Sequence, residues 1–339
     1  MSELVFHKIQ LGAESTEGTG VAATVIFPTD PGAVTELDRA PLNPDEDYGT
    51  ISKNNPNRGA YGVRGARLSM PGYLRFQDAM RLFEMAIAGG VTPTVSNGSN
   101  WQWTYSTDMT SDSLKAYTIE EGTSDGQTWQ VPGALISDLE LGYDALSAPG
   151  DAPWKFTATV IGRNRTKTSF TSSLSAPSNM ETMQGHLTQL YEGSGSTAFA
   201  SLPELSNSLL MYKVKIANDV KLRPYGSTSD VATSHGRGKR DITFEAMVKI
   251  ATTATTDTFD IFNTGVGTSA TERRWRIKVN GSAGNWMQVD HRIRFTAIPL
   301  GDRDGEQVYH LQGVLVSDSA LTGSADMQIL LTNAIANLP

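Results

Sequence analysis

The chain has no cysteine among its 339 residues. That absence excludes disulfides and thiolate metal sites, so packing and hydrogen bonds must hold the fold. No segment approaches the run of about 20 apolar residues that crosses a bilayer as a helix. The N-terminus also lacks the basic-then-apolar order of a secretory signal, and the expectation is a soluble chain not exported by that route. Positive charge is in deficit, with 28 Lys and Arg against 36 Asp and Glu and a formal net charge of −8. Binding of duplex DNA by the whole surface draws on phosphate neutralisation, and this balance argues against it.

Catalytic signals are equally scarce. His7, His186, His235, His291 and His310 are scattered, with no His-Glu-x-x-His pair to set two imidazoles on one helical face for zinc. No Gly-x-Ser-x-Gly elbow occurs, and Gly193–Ser196 sits in a Ser- and Gly-rich stretch. Gly265-Val-Gly267 follows a helical stretch and precedes a strand, the reverse of the order that aims a helix N-terminus at a pyrophosphate. Asp302-Arg-Asp-Gly-Glu306 begins like a calcium loop but lacks the remaining ligands, and strand-like flanks make it a hairpin turn. Asp290 and His291 are neighbours on a strand and so point to opposite faces. The reading is a protein that is not an enzyme, with no catalytic, cofactor or metal site.

What the chain does have is repetition. A β-run at Ala22–Phe27 leads through a polar loop to Gly62–Met70, a helix at Leu74–Ala88, and strands near Trp101–Tyr105 and Lys115–Glu120. A Gly turn, a Trp strand at Thr128–Val131 and two closing strands follow. Met211–Leu222 then starts the same script again, through Asp241–Ile250, a short helical stretch near Asp257–Asn263, Arg274–Val279, another Gly turn and another Trp strand. Tyr117–Trp129 and Trp275–Trp286 match best. A chain that builds one β-module twice reads as a symmetric building block. The expected boundaries are an N-terminal arm at 1–17, a first module at 18–163, a Ser/Thr/Gly-rich linker at 164–207 and a second module at 208–339.

Alternation of polar with apolar residues at Leu135–Leu141, Lys155–Ile161, Lys213–Ile216, Ile242–Ile250 and Val289–Phe295 predicts half-buried antiparallel strands. Asn97-Gly98 and Asn280-Gly281 lie between strand-like runs and predict type I′ turns. Trp101 and Trp103 could line a sugar platform, or pack in a core or interface. Charge is uneven. The acidic loop Asp45-Glu46-Asp47 and the basic loop Arg237-Gly-Lys239-Arg240 occupy corresponding places in the two repeats. Opposite charges at equivalent loops suit head-to-tail contact between copies, and the plainer alternative is that both are solvated. The long polar loops Thr29–Gly59 and Arg223–Lys239 are the expected contacts between stacked rings, or else decoration outside them.

Gly133-Ala-Leu-Ile-Ser-Asp-Leu-Glu-Leu141 with Trp154–Arg163, together with Leu209–Asp219, Arg240–Ile250 and Gln328–Asn333, resembles the major tail tube protein of long-tailed (siphovirus-type) bacteriophages in its two-module form. The resemblance implies a mainly β fold of two tandem β-sandwich or barrel-like modules, each with a flanking helix. It implies homotrimeric rings with pseudo-sixfold symmetry, stacked into a hollow tube that DNA traverses without specific binding. It also implies other tail proteins as partners (tape measure, tail terminator, distal tail), no cofactor, assembly in the host cytoplasm and residence in the virion. A tail terminator, a capsid decoration subunit or a carbohydrate-binding adsorption module are the alternatives.

Overall fold

The computed structural model describes residues 7–31, 33, 35–39, 41–42, 60–110, 113–123, 127–145, 152–223, 225, 230–249, 272–303 and 305–338. The protein is mainly β, and among the described residues its strands pair antiparallel, with an isolated parallel bridge from Arg64 to Val231. In the first half these are β1 (His7–Ala13), β2 (Val25–Ile26), β3 (Thr35–Asp38), β4 (Pro41–Leu42), β5 (Ala60–Tyr61) and β6 (Gly65–Tyr73), then helix α1 (Ala79–Ala86). β7 (Thr94–Asn97), β8 (Asn100–Ser106), β9 (Tyr117–Thr123), β10 (Thr128–Asp144), β11 (Lys155–Gly162) and β12 (Thr166–Thr168) complete it. The second half carries β13 (Thr188–Ser194), β14 (Leu209–Ala217), β15 (Val220–Arg223), β16 (Ser234–Arg237) and β17 (Asp241–Lys249). It continues with β18 (Glu272–Asn280), β19 (Trp286–Ala297), β20 (Leu300–Arg303), β21 (Glu306–Val316) and β22 (Met327–Asn333).

One order of pairing occurs in both halves. In the first, β1 pairs β9, β9 pairs the start of β10, and that start pairs β12. The end of β10 pairs β11, β11 pairs β6, and β6 pairs β3. In the second, β13 pairs β18, β18 pairs β19, and the start of β19 pairs β22. The end of β19 pairs β21, β21 pairs β17, and β17 pairs β14. Two further ladders join the halves, β10 with β14 and β8 with β22. The stretch 164–207 contributes β12 and β13, and residues 1–17 contribute β1.

Period-2 patterning explains which face is buried. On β10, Leu139 and Leu141 are fully buried while Asp138 and Glu140 face outward. β14 does the same with Val214 and Ile216 inside and Lys213 and Lys215 on the outer side. One continuous core runs through both halves and holds Trp103, Trp154 and Trp275. Trp103 donates through Nε1 to the Ile335 carbonyl at 3.1 Å and is buried with Tyr105 of the same strand in the core, while Trp101 beside them is half-buried. Trp129 and Trp286 open the closing strands β10 and β19 and stack under Arg165 and Lys278 instead.

Among the described residues α1 is the single α-helix, and the stretch Asp257–Asn263 lies outside them. α1 is shorter than its apolar stripe predicts because tertiary bonds claim the residues before it. Leu74 N donates to the Trp154 carbonyl at 2.8 Å and Phe76 N to the Glu181 carbonyl at 3.2 Å, so Leu74 and Arg75 stay out of the helix and residues 76–78 turn into it. Every residue of the helix is buried. β20 and β21 pair as a hairpin as expected, with Arg303 opposite Glu306 and Gly305 at φ +82°. The Asn-Gly turns differ in detail from expectation. Gly98 alone of its pair takes positive φ, and the β18–β19 turn puts positive φ on Ala283 and Gly284 rather than on Asn280-Gly281. Among the described residues no helix is long and apolar enough to cross a membrane.

Candidate assembly edges

The junction between the halves is a sheet ladder. Asp138 lies opposite Ala217, Leu139 opposite Ile216, Glu140 opposite Lys215 and Leu141 opposite Val214. Asn218 N donates to the Ser137 carbonyl at 2.7 Å and Ala145 N to the Leu210 carbonyl at 2.8 Å. Antiparallel pairs alternate between bonded and unbonded, so Leu139 and Leu141 also aim their N–H and C=O groups at β14. Lys215 sits 3.9 Å from Asp138 across this junction, an exposed pair of small energetic weight.

The side chain of Asn218 ties the junction down. Its Nδ2 donates to the Ala86 carbonyl at the end of α1 (2.8 Å) and to the Ile136 carbonyl (3.1 Å), while its Oδ1 accepts from Arg240 Nε at 3.0 Å. Arg240, expected at a contact between rings, is thus bound inside the chain. The β15–β16 hairpin and its loop also rest on the first half. Arg64 Nη2 reaches Asp230 at 2.6 Å, Arg163 Nε donates to the Ala232 carbonyl at 3.0 Å, and His235 Nδ1 meets Glu17 at 2.7 Å. The Arg64 hydrogen bond holds the Asp230 carboxyl below the usual carboxylate range. Arg237 ends β16 opposite Val220, and Lys239 follows it on the way to β17. Asp45, Glu46 and Asp47 lie outside the described residues.

Register fixes which residues correspond between the halves. A bulge interrupts β10 against β11 at Ser137, and the same bulge interrupts β19 against β21 at Thr296. Counting from it, Leu139 corresponds to Ile298, Glu140 to Pro299 and Leu141 to Leu300. β20 continues the ladder on β21 with Leu300 opposite Tyr309. So β20 is to the second half what the end of β10 is to the first. On the other side, Leu68 of β6 corresponds to Phe244 of β17, which makes Thr35 the counterpart of Val214 and Leu37 the counterpart of Ile216. The exposures differ sharply. Leu141 and Ile216 are fully buried, whereas Leu300 is 69% and Leu37 48% exposed. Among the described residues no strand pairs with the outer edge of β3 or of β20.

The outward face of the central sheet is polar and of mixed sign. Shallow grooves of about 370 and 320 Å³ run over it, lined by Glu140, Lys213, Lys215 and Glu245 in one case and by Asp144 and Lys155 in the other. The second half's cluster of arginines does not form a basic patch. Arg274 holds Asp318 at 2.5 and 2.6 Å, Arg276 holds Asp290 at 2.8 Å, and Arg273 pairs with Glu192. His291 points away from Asp290, buried, with its Nε2 2.7 Å from the Tyr212 hydroxyl. Among the described residues no group of His, Asp and Glu is arranged to hold a metal ion. Comparisons with protein-family models and with curated proteins find no match to this chain.

The edge correspondence was not legible before the pairing was known. Leu300 sits between Pro299 and Gly301 and Leu37 between Glu36 and Asp38, each in a short strand, and nothing in their local sequence marks them. The available signal was the second repeat itself, since aligning 139–141 with 298–300 would have flagged an apolar position without a stated partner.

Proposed function

We propose that this chain is a structural virion protein that polymerises into stacked rings and so forms the hollow tail tube of a long-tailed phage, through which DNA passes during ejection. On this reading the two halves are tandem β-modules, and three chains supply six modules to a ring of pseudo-sixfold symmetry. The tape measure, tail terminator and distal tail proteins are the other partners. The observation that carries the reading is the pairing order that recurs in both halves, with β14 of the second continuing the sheet of the first at β10. A unit that already extends its sheet by adding its own repeat is suited to extending it further with more copies. The sheet's polar face of mixed charge suits a conduit wall, because it offers no run of Lys and Arg to hold phosphates.

Negative-stain electron microscopy across a concentration and salt series tests this. Hollow tubes or stacked rings are the expected result. A single closed oligomer that never stacks would overturn the tube in favour of a terminator or decoration subunit, and dispersed monomers under all conditions would direct the search to a glycan ligand.

A further inference from the structure

The two open edges are complementary to each other, and their complementarity can be read from the junction inside the chain. We propose that β20 of one copy pairs antiparallel with β3 of a second copy, with Ile298 opposite Leu37 and Leu300 opposite Thr35 of the neighbour. The inference rests on the same repeat as the tube reading but names the edges and the register, and it holds for any closed or open head-to-tail assembly.

Three observations carry it. First, the register is already used once. Leu139 opposite Ile216 and Leu141 opposite Val214 is the in-chain version of the same two pairs, and the bulges at Ser137 and Thr296 set the correspondence without adjustable choice. Second, the hydrogen-bonding groups point the right way. His310 N donates to the Pro299 carbonyl at 2.9 Å, so Pro299 faces β21, and its missing N–H is lost from that side only. Ile298 and Leu300 therefore turn their N–H and C=O groups outward, as Leu139 and Leu141 do toward β14. A proline with the opposite phase would have blocked the edge. On β3, Thr35 N reaches, among the described residues, a carboxylate oxygen of Glu121 at 3.4 Å, a long contact that leaves it positioned for a stronger acceptor. Third, the side chains left bare are the apolar ones. Leu300 and Leu37 are exposed where their counterparts are buried, and pairing would cover both at one stroke.

The absence of cysteine makes the test direct. Antiparallel partners across a bonded pair lie about 5.5 Å apart at Cα, within disulfide range. Leu37→Cys and Ile298→Cys would be introduced singly and together, oxidised, and run on non-reducing gels. Mixing the two single variants should give a cross-linked dimer, and the double variant a ladder or a closed species. Neither single variant alone should cross-link. Glu36→Cys mixed with Ile298→Cys is the control, because Glu36 points to the other face of the strand. Cross-linking in the control at the same yield, or none in the matched mixture, would overturn the register. As a second readout, Leu300→Lys should abolish self-association while leaving the circular dichroism and melting temperature of the dilute protein unchanged; association at wild-type strength would refute the edge. A ladder without tubes in the microscope leaves the edge standing and removes the tube; tubes without matched cross-links do the reverse.

Discussion

Leu141 and Leu300 occupy the same register in the two halves yet one is fully buried and the other 69% exposed, so truncating each to Ala separates folding from association. At Leu141 the change removes a side chain from inside the β10–β14 junction and leaves a cavity lined by Val214 and its neighbours, at a cost of about 3 kcal/mol within the range of about 2–5 for such sites. At Leu300 only about a third of the residue is withdrawn from water, and the loss in an isolated chain is roughly 0.5 kcal/mol. Urea unfolding followed by circular dichroism, at a dilution where the protein is monomeric, gives the two values directly. Association responds in the opposite sense. Burying Leu300 against a neighbour is worth about 1.5–3 kcal/mol, so Leu300→Ala should weaken self-association roughly tenfold to a hundredfold by sedimentation. Equal destabilisation of the dilute chain by both variants would refute the reasoning, since it would mean that Leu300 packs within its own subunit.

Burial without a charge partner pushes the His291 imidazole down from 6.5 to about 4, so the unfolded chain binds its proton first and stability falls as the pH drops from 6.5 to about 4. At about 1.4 kcal/mol per pH unit this comes to about 3 kcal/mol, read as the difference between wild type and His291→Gln in urea titrations at pH 4.5 and 7.5. Taking that difference also removes Asp78, whose carboxyl burial raises from 3.8 to about 6 and whose stability contribution runs the other way, lost as the pH rises through that interval. Asn218→Ala strands the Ala86 and Ile136 carbonyls and should cost about 2–3 kcal/mol in the same assay; a neutral result would show that the Asn218 side chain does not tie the junction down. Asp318→Ala leaves Arg274 buried without its carboxylate, and an expected loss of about 3–5 kcal/mol is checked by thermal melting against Asp318→Asn. If the basic loop contacts the next ring, Lys239→Glu should shorten tubes and lower their salt resistance without moving the melting temperature, whereas Arg240→Glu should lower that temperature by breaking its bond to Asn218. Tubes of wild-type length in the Lys239 variant would remove the loop from the stacking surface.

Strand content was legible because period-2 alternation is a local signal. Leu139 and Leu141 against Asp138 and Glu140 announce a buried face from seven residues of text. Strand length was less legible. β10 runs unbroken from Thr128 to Asp144 because its two ends belong to different ladders, and no local pattern distinguishes one long strand from two. Leu74–Gln77 read as helix because propensity and apolar spacing agree there, and tertiary bonds to Trp154 and Glu181 overrode both. Arg240 was picked out as one of a cluster, but what it touches depends on Asn218, distant by 22 positions and unmarked in the sequence. The edges were the least legible part, since an open edge is defined by the partner that is missing.

The in-chain junction also bears on whether such an assembly closes. β3 and β20 are different strands, so contact between them is heterologous, and heterologous contacts either close into a ring or run on as a filament. If the contact between chains repeats the β10–β14 register, it also repeats that junction's rotation, because twist and pleat are set by the same pairings and the same apolar face. Closure then depends on one geometric quantity, the rotation between the two halves of a single chain, applied twice per subunit. A substitution that alters the β10–β14 junction should therefore change the geometry of the whole ring even where the contact between chains is untouched. Leu139→Val trims one buried position of that junction while leaving Ile298 and Leu37 as they are. Rings of altered diameter or unclosed arcs in that variant, with cross-linking between Leu37→Cys and Ile298→Cys retained, are the outcome this argument requires. Unaltered closed rings would show that curvature is set elsewhere, in the contacts of the β15–β16 hairpin with the first half.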